Sequence, residues 1–265
     1  MFFRTLMAAA VAAAFTADTA GVAQASTEIK TGDTSKNWAG YALQAGADQS
    51  FDQVSVSYVQ PTGEGPCDPA HRSIVTFVVA FDGFNNGATS EQAGTALQCG
   101  PSGPTGAPYA FQHIAFWEMD PGTNHFVAPP LFAVHGGDSL TVGVSYADGT
   151  YTFTWENHTT GQTYSTTAAN TNGSTRTSVE AVVQAVGPGG QLPMADFGKL
   201  SFRDPDVHLV RSHGNDQSDE QGDHENHGNA YARGRFAAIT MKTADGTADR
   251  AVPSFPLAVT FKRAI

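Results

Sequence analysis

Leu140-Thr141-Val142-Gly143-Val144-Ser145-Tyr146-Ala147-Asp148-Gly149-Thr150-Tyr151-Thr152-Phe153-Thr154-Trp155 decides the fold class. Leu140, Val142, Val144 and Tyr146 alternate with small or polar residues, and Tyr151, Phe153 and Trp155 do the same after Asp148-Gly149. Apolar residues at period two mark a strand with one buried face. An Asp-Gly pair between two such runs marks a tight hairpin, because both turn positions need φ > 0. Working outward, Asn157 to Gly161 reads as the next turn and Gln162 to Ala168 as a Thr-rich returning strand. Upstream, Val54, Val56 and Tyr58 alternate up to Pro61, and Ser73 to Phe81 is a nearly continuous apolar run that suits a strand buried on both faces. Downstream, Val179, Ala181 and Val183 share one strand face while Glu180, Val182 and Gln184 share the other. No stretch past the first segment sustains a helical period, and strands recur at about ten-residue spacing with turn signals between them. That pattern is an all-β sandwich or barrel.

The 265 residues suit one large all-β domain or two smaller ones, and 40% hydrophobic residues supply a sizeable core. Charge is sparse at 15%, and 25 acidic against 14 basic residues give a net charge of -11. No Lys or Arg lies between Arg72 and Arg176. A phosphate-binding surface needs clustered cations, so nucleic acid is excluded as a partner. Arg4, the apolar run Leu6 to Phe15 and the small-x-small Ala23-Gln24-Ala25 read as a secretory leader over residues 1–25, cut after Ala25. The run is too short to cross a bilayer, which takes about 20 residues. The expected product is a secreted monomer of one domain, residues 26–265, with no membrane span. Two cysteines, Cys67 and Cys99, suggest one disulfide outside the cell, worth roughly 3 kcal/mol for the loop they would close. The alternative is two buried thiols.

Residues 213–229, HGNDQSDEQGDHENHGN, contain no apolar side chain and read as a solvated loop. His213, Asp223, His224 and His227 could be imagined around a metal, but their spacing fits no established ligand pattern, so no metal or cofactor is assigned. His113, His125 and His135 suggest no nucleophilic triad, since no G-x-S-x-G sequence accompanies them.

Several short motifs then fall in order: Asn37-Trp38-Ala39-Gly40-Tyr41, Phe81-Asp82-Gly83, Glu91-Gln92-Ala93-Gly94-Thr95, Ala115-Phe116-Trp117-Glu118-Met119-Asp120-Pro121, Gly137-Asp138, Asn157-His158-Thr159-Thr160-Gly161-Gln162, Ser178-Val179-Glu180 and Leu192-Pro193-Met194-Ala195-Asp196-Phe197-Gly198. From about Trp38 to Phe202 the series resembles the glutamic peptidase (eqolisin) family, and most of all its bacterial branch, where a Cys pair brackets the same motifs as Cys67 and Cys99 do here. The resemblance implies a lectin-like (concanavalin A-like) sandwich of two curved antiparallel sheets with a polypeptide-binding cleft on the concave face. It implies a Gln–Glu dyad in which the Glu is general base to a water and then acid to the leaving amine, while the Gln amide stabilises the oxyanion.

Gln92 matches the family Gln, nine residues after Gly83. The family's catalytic Glu, the second of its Ala-Glu-aromatic-hydrophobic-hydrophobic-Glu motif, is replaced by Gln184. An amide cannot shuttle a proton, and general acid–base help is worth about 10²–10⁴ in rate. Val78, Ala80 and Ala181 also depart from the family's Trp, Gly and aromatic, whereas Trp38, Asp82, Trp117 and Glu118 are kept and are expected to support the cleft. Glu180 shares a face with Gln184 but lies four strand residues, about 13 Å, away, which leaves Glu118 and Asp82 as candidates for a displaced base. Three readings follow: an acid endopeptidase using Gln92 with a surrogate carboxylate, a non-catalytic relative whose cleft binds peptide or glycan, or a plain structural or surface protein with a lectin-like sandwich.

Overall fold

The computed structural model describes residues 29–84, 88–102, 107–122, 124–186, 192–211, 236–242, 249–254 and 257–262. The leader at 1–25 and the acidic loop at 213–229 lie outside the described residues. Among the described residues sixteen strands follow in order: β1 (Ile29–Ser35), β2 (Trp38–Gln44), β3 (Gln49–Val59), β4 (Ser73–Phe81), β5 (Ser90–Pro101), β6 (Tyr109–Asp120), β7 (His125–Phe126), β8 (Ser139–Ala147), β9 (Thr150–Asn157), β10 (Gln162–Ala169), β11 (Ser178–Gln184), β12 (Lys199–Ser201), β13 (Arg203–Arg211), β14 (Phe236–Lys242), β15 (Asp249–Ser254) and β16 (Ala258–Phe261). They form two sheets. One has eleven strands in the order β12-β16-β15-β14-β2-β11-β4-β5-β6-β7, with β1 pairing β14; the other has five, β10-β9-β8-β3-β13. Apart from the parallel β1–β14 pair, every pairing is antiparallel.

The hairpin read around Asp148-Gly149 joins β8 to β9, with φ of 47° and 78° at its two turn residues, as a type I′ turn requires. Its inward residues meet the inner face of the large sheet. Leu140, Val142, Val144, Tyr151, Phe153 and Trp155 pack with Val54, Val56 and Tyr58 against Val75, Phe77, Val79, Phe81, Ala93 and Leu97. Burying each aromatic of this layer is worth about 2–3 kcal/mol. Polar ties cross the core: Trp155 Nε1 donates to the Gly94 carbonyl at 3.0 Å, and Thr95 Oγ1 lies 2.8 Å from the Tyr58 hydroxyl while donating to Gln60 Oε1 at 2.6 Å.

β4 is buried on both faces because its second face is the floor of a cleft: Val78 and Ala80 pack there with Phe116, Val182 and the edge of Trp38. Two motif glycines permit this packing. A Cβ on Gly94 would lie 2.2 Å from the Phe77 carbonyl oxygen, and one on Gly40 would lie 2.3 Å from that of Ala181. Cys67 and Cys99 are joined in a disulfide with their Cα atoms 5.4 Å apart, which fastens the segment before β4 to the far end of β5.

Candidate active site

The outer face of the large sheet carries a cleft of about 530 Å³. Its floor follows from strand register. Directly opposed residues form one row across five strands: Ala42 (β2), Glu180 (β11), Ala80 (β4), Gln92 (β5) and Glu118 (β6). The next row on this face is Gly40, Val182, Val78, Gly94 and Phe116, and the one after it is Trp38, Gln184, Thr76, Ala96 and Ile114. Side chains two apart point to the same face, so Gln92, Glu118, Glu180, Gln184 and Trp38 all line the one cleft.

Gln92 is buried, and its Nε2 donates to Glu118 Oε2 at 2.7 Å. The bond fixes the amide plane and leaves the second Nε2 hydrogen and the oxygen for other partners. Burial lifts the Glu118 carboxyl above its usual range; Asp120, two residues on along the same strand, lifts it further, and the Gln92 bond holds it partly down. Glu118 is therefore an acid that gives up its proton late, in direct contact with the residue expected to polarise a carbonyl.

Gln184 lies at the far end of this arrangement. It is two strands from Gln92 and four residues along, about 10 Å across and 13 Å lengthwise on strand geometry. Glu180, set aside on sequence for its distance from Gln184, is nearer Gln92 in register, with only Ala80 between them. Its carboxyl is buried: Oε1 accepts from Ser178 Oγ at 2.5 Å and the Phe84 amide at 3.2 Å, while Oε2 has no partner among the described residues. Desolvation holds the Glu180 carboxyl well above the ordinary carboxylate value. Thr89 Oγ1, also on the cleft wall, is likewise buried without a partner among the described residues. Sequence reading set Glu180 aside and missed Thr89; the one signal for Glu180 was its place as the first Glu of its motif.

Asp82 lines the same end of the cleft, but its oxygens are fully engaged. Oδ2 accepts from Ser174 Oγ (2.8 Å), the Thr175 amide (2.9 Å) and the Arg176 amide (2.8 Å), and Oδ1 from the Thr177 amide (2.8 Å) and hydroxyl (3.3 Å). A carboxylate holding three backbone N–H groups is a structural anchor, with no lone pair left to take a proton from water. Trp117 corrects the expectation that it supports the cleft. It sits between Phe116 and Glu118, so alternation turns it to the opposite face, where it stacks on Phe153 at 5.0 Å and on His125 at 4.0 Å. Trp38 stays in the cleft, opposite Gln184, its ring edge-on to Phe84 at 6.1 Å.

Among the described residues the cleft lining contains Asp82, Glu118, Asp120 and Glu180 and no Lys, Arg or His, and no group of three or more potential metal ligands occurs. The arrangement offers an amide, two carboxyls of raised basicity and an apolar floor.

A model of the Peptidase A4 family matches residues 36–228. Among solved structures, the chain is similar to scytalido-glutamic peptidase with a transition state analog inhibitor, at 21% identity and TM-score 0.60, covering 86% of this chain and 98% of that one. It is similar also to SCP-B, a member of the Eqolisin family of peptidases in a complex with the tripeptide Ala-Ile-His, at 20% identity and TM-score 0.56 over 86% of this chain and 98% of that one. At these identities the likeness concerns the fold. Among curated proteins no match is found.

Proposed function

Since the chain belongs to the Peptidase A4 family, the glutamic peptidases, we propose that its cleft binds polypeptide and that peptide-bond hydrolysis, the family's activity, is lost or nearly so in this member. The carrying observation is Gln184. The position that supplies the family's general base holds an amide here, and that amide lines the cleft together with Gln92. A neutral amide can bind a peptide group, donating from nitrogen and accepting at oxygen, but it cannot accept a proton from water. The apolar floor of Val78, Ala80, Phe116 and Val182 suits side chains of a bound strand, and Glu118 and Asp120 on the cleft wall suit a polypeptide bearing Lys or Arg. Secretion, read from the leader at 1–25, would place this cleft outside the cell, where such polypeptides are available.

A second reading is favoured by one observation, the 2.7 Å contact between Gln92 and Glu118. A carboxyl of raised pKa beside the expected oxyanion donor could act as a displaced general base, making the protein a weak acid endopeptidase.

One experiment separates the two. Cleavage of a denatured protein and of a broad peptide library is followed between about pH 2 and pH 5, the range over which ordinary carboxyls titrate. Under the first reading the unmodified chain is silent at every pH in this range while it still binds peptide. Activity in the unmodified chain that disappears in both Gln92→Ala and Glu118→Gln would overturn the first reading and establish the second. A Gln184→Glu variant that binds peptide yet stays silent would show that a carboxylate about 10 Å across and 13 Å along the sheet from Gln92 is too far away to serve it.

A further inference from the structure

On the core side of β5, directly behind the cleft, is a buried carboxyl that the proposed function does not use, Glu91, close to Asp82 and Glu180 of the cleft wall. Glu91 is fully buried, Asp82 is 1% exposed and Glu180 is 3% exposed. Three segments distant in sequence meet at one hydroxyl. Ser174 Oγ lies 2.6 Å from Glu91 Oε2, 2.8 Å from Asp82 Oδ2 and 2.6 Å from the Tyr151 hydroxyl oxygen.

Counting hydrogens decides the charge state. Three oxygen–oxygen contacts at these distances need three protons, one in each. Tyr151 brings one and Ser174 brings one. With both carboxyls ionised, one contact would set a lone pair against a lone pair inside the core. The third proton must therefore sit on a carboxyl. Asp82 is not its holder, since three backbone amides and Thr177 Oγ1 also point at its oxygens and stabilise its charge. Besides Ser174, Glu91 is met by two side-chain donors and no backbone amide among the described residues: the Asn172 side-chain amide at 2.6 Å on Oε1 and the Tyr151 hydroxyl. The consistent arrangement is Glu91 O–H to Ser174 Oγ, Tyr151 O–H to the same oxygen, and Ser174 O–H to the Asp82 carboxylate.

We propose that Glu91 is a proton lock: it carries a proton in the folded chain, and losing that proton releases residues 172–177 from Asp82 and with them one end of the cleft. Those residues are a junction. Thr177 accepts the Ala45 amide beyond β2, Arg176 accepts the Phe51 amide of β3, and the segment leads directly into β11, which carries Glu180 and Gln184. Asn172 Nδ2 also donates to the Asp120 carbonyl at the end of β6 at 2.9 Å. Ionised Glu91 would put a second negative charge beside Asp82 and break the Ser174 contact that joins them.

The charged and titratable groups around Glu91 favour the same outcome. Asp82 on the turn after β4 and Glu180 on β11 both disfavour its ionisation. Tyr151 on β9 stays a neutral donor, its hydroxyl raised by burial. The nearby cation, Arg176, stacks over the Tyr146 ring of β8 at 3.6 Å, donates its Nε–H to the Phe51 carbonyl and hydrogen-bonds the Tyr151 hydroxyl, so its charge is felt by Tyr151 and not among the groups that act on Glu91. Burial accordingly lifts the Glu91 carboxyl to about 7 from an unfolded value of 4.5. The folded state then binds the proton more tightly than the unfolded one. The contribution is complete below about pH 4.5, shrinks as pH rises, and is gone above about 7, a roughly 300-fold weakening of the folding equilibrium. Glu180, raised in the same direction, adds to the slope without replacing it.

The test needs no ligand and no activity. The full chain is labelled with ¹³C at glutamate carboxyls, and NMR follows their titration from about pH 3 to pH 9. The expected result is a signal that titrates near neutrality and vanishes in Glu91→Gln; a Glu91 signal that titrates in the ordinary carboxylate range overturns the proposal. Urea unfolding against pH gives a second readout. The amide introduced by Glu91→Gln presents an N–H to Ser174 as the acid does and cannot ionise. That variant is therefore expected to lose roughly 300-fold less folding equilibrium between about pH 4.5 and 7.5 than the unmodified chain. Equal pH slopes for the two proteins overturn the lock. Should Glu91→Gln not fold, the carboxyl titration of the unmodified chain, with Glu180→Gln to identify the other raised signal, decides alone.

Discussion

Asp82→Asn isolates the anchor that Asp82 provides on the cleft wall. Asp82 has φ of 53°, a conformation that Asn tolerates almost as well as Asp, so the backbone is not the object of the change. The native carboxylate receives five hydrogen bonds, three from backbone amides. Asn offers one acceptor oxygen. If that oxygen takes the place of Oδ2, the bonds from Ser174, Thr175 and Arg176 survive but lose their charge-assisted strength, about 1 kcal/mol each. The side-chain NH₂ then faces the Thr177 N–H, leaving a buried donor unpaired at a cost of about 1–3 kcal/mol. The total is about 4–6 kcal/mol, a large part of the roughly 5–15 kcal/mol by which a domain is stable. Urea unfolding near pH 4.5, where Glu91 keeps its proton, would show the midpoint falling by about 2–3 M for a slope of about 2 kcal/mol/M, with the slope itself unchanged. A loss below about 1 kcal/mol would refute the reasoning, because it would mean that water or rearrangement satisfies the 174–177 amides without the carboxylate.

Gly94→Ala forces a Cβ to 2.2 Å from the Phe77 carbonyl oxygen and is expected to cost about 3 kcal/mol, read as a fall in the thermal midpoint. Replacing Cys67 and Cys99 by Ser opens a loop of sequence separation 32, worth about 3–4 kcal/mol on the chain-entropy account; reducing agent should lower the midpoint of the unmodified chain by a similar amount and leave the double variant unmoved. Glu118→Gln should fold normally yet flatten the pH dependence of Lys- or Arg-containing peptide binding. In the unmodified chain that binding should strengthen as pH climbs past the ordinary carboxylate range, because Glu118 ionises late, and titration calorimetry at several pH values reads the difference.

The strands were legible because period-two alternation is a local signal, and the Asp148-Gly149 hairpin came with its own turn chemistry. What sequence could not supply was register. Glu118 meets Gln92 across a pairing of residues 26 apart, and Glu91 meets Ser174 across 83; nothing in either neighbourhood announces its partner. Trp117 shows the opposite error. A motif that runs Trp-Glu invites both residues into one site, yet adjacent strand residues face opposite ways, so keeping Glu118 in the cleft expels Trp117 into the sandwich. The same parity keeps Glu91 and Gln92, neighbours in one motif, on two sides of the sheet, one holding a proton in the core and the other an amide toward ligand.

The parallel strand β1 bears on how such a protein reaches this state. Ile29 pairs with Phe236, and β2 lies between β11 and β14, so the earliest strands wait for partners made more than a hundred residues later. A chain emerging from its N-terminus therefore presents the apolar run of β2 with neither flank covered. Topologies dominated by such distant pairings fold slowly and pass through aggregation-prone intermediates. A chain cut just before Phe236 would lack β14 along with β15 and β16, and the damage would surface at the opposite terminus, as an unpaired β1 and an exposed edge on β2.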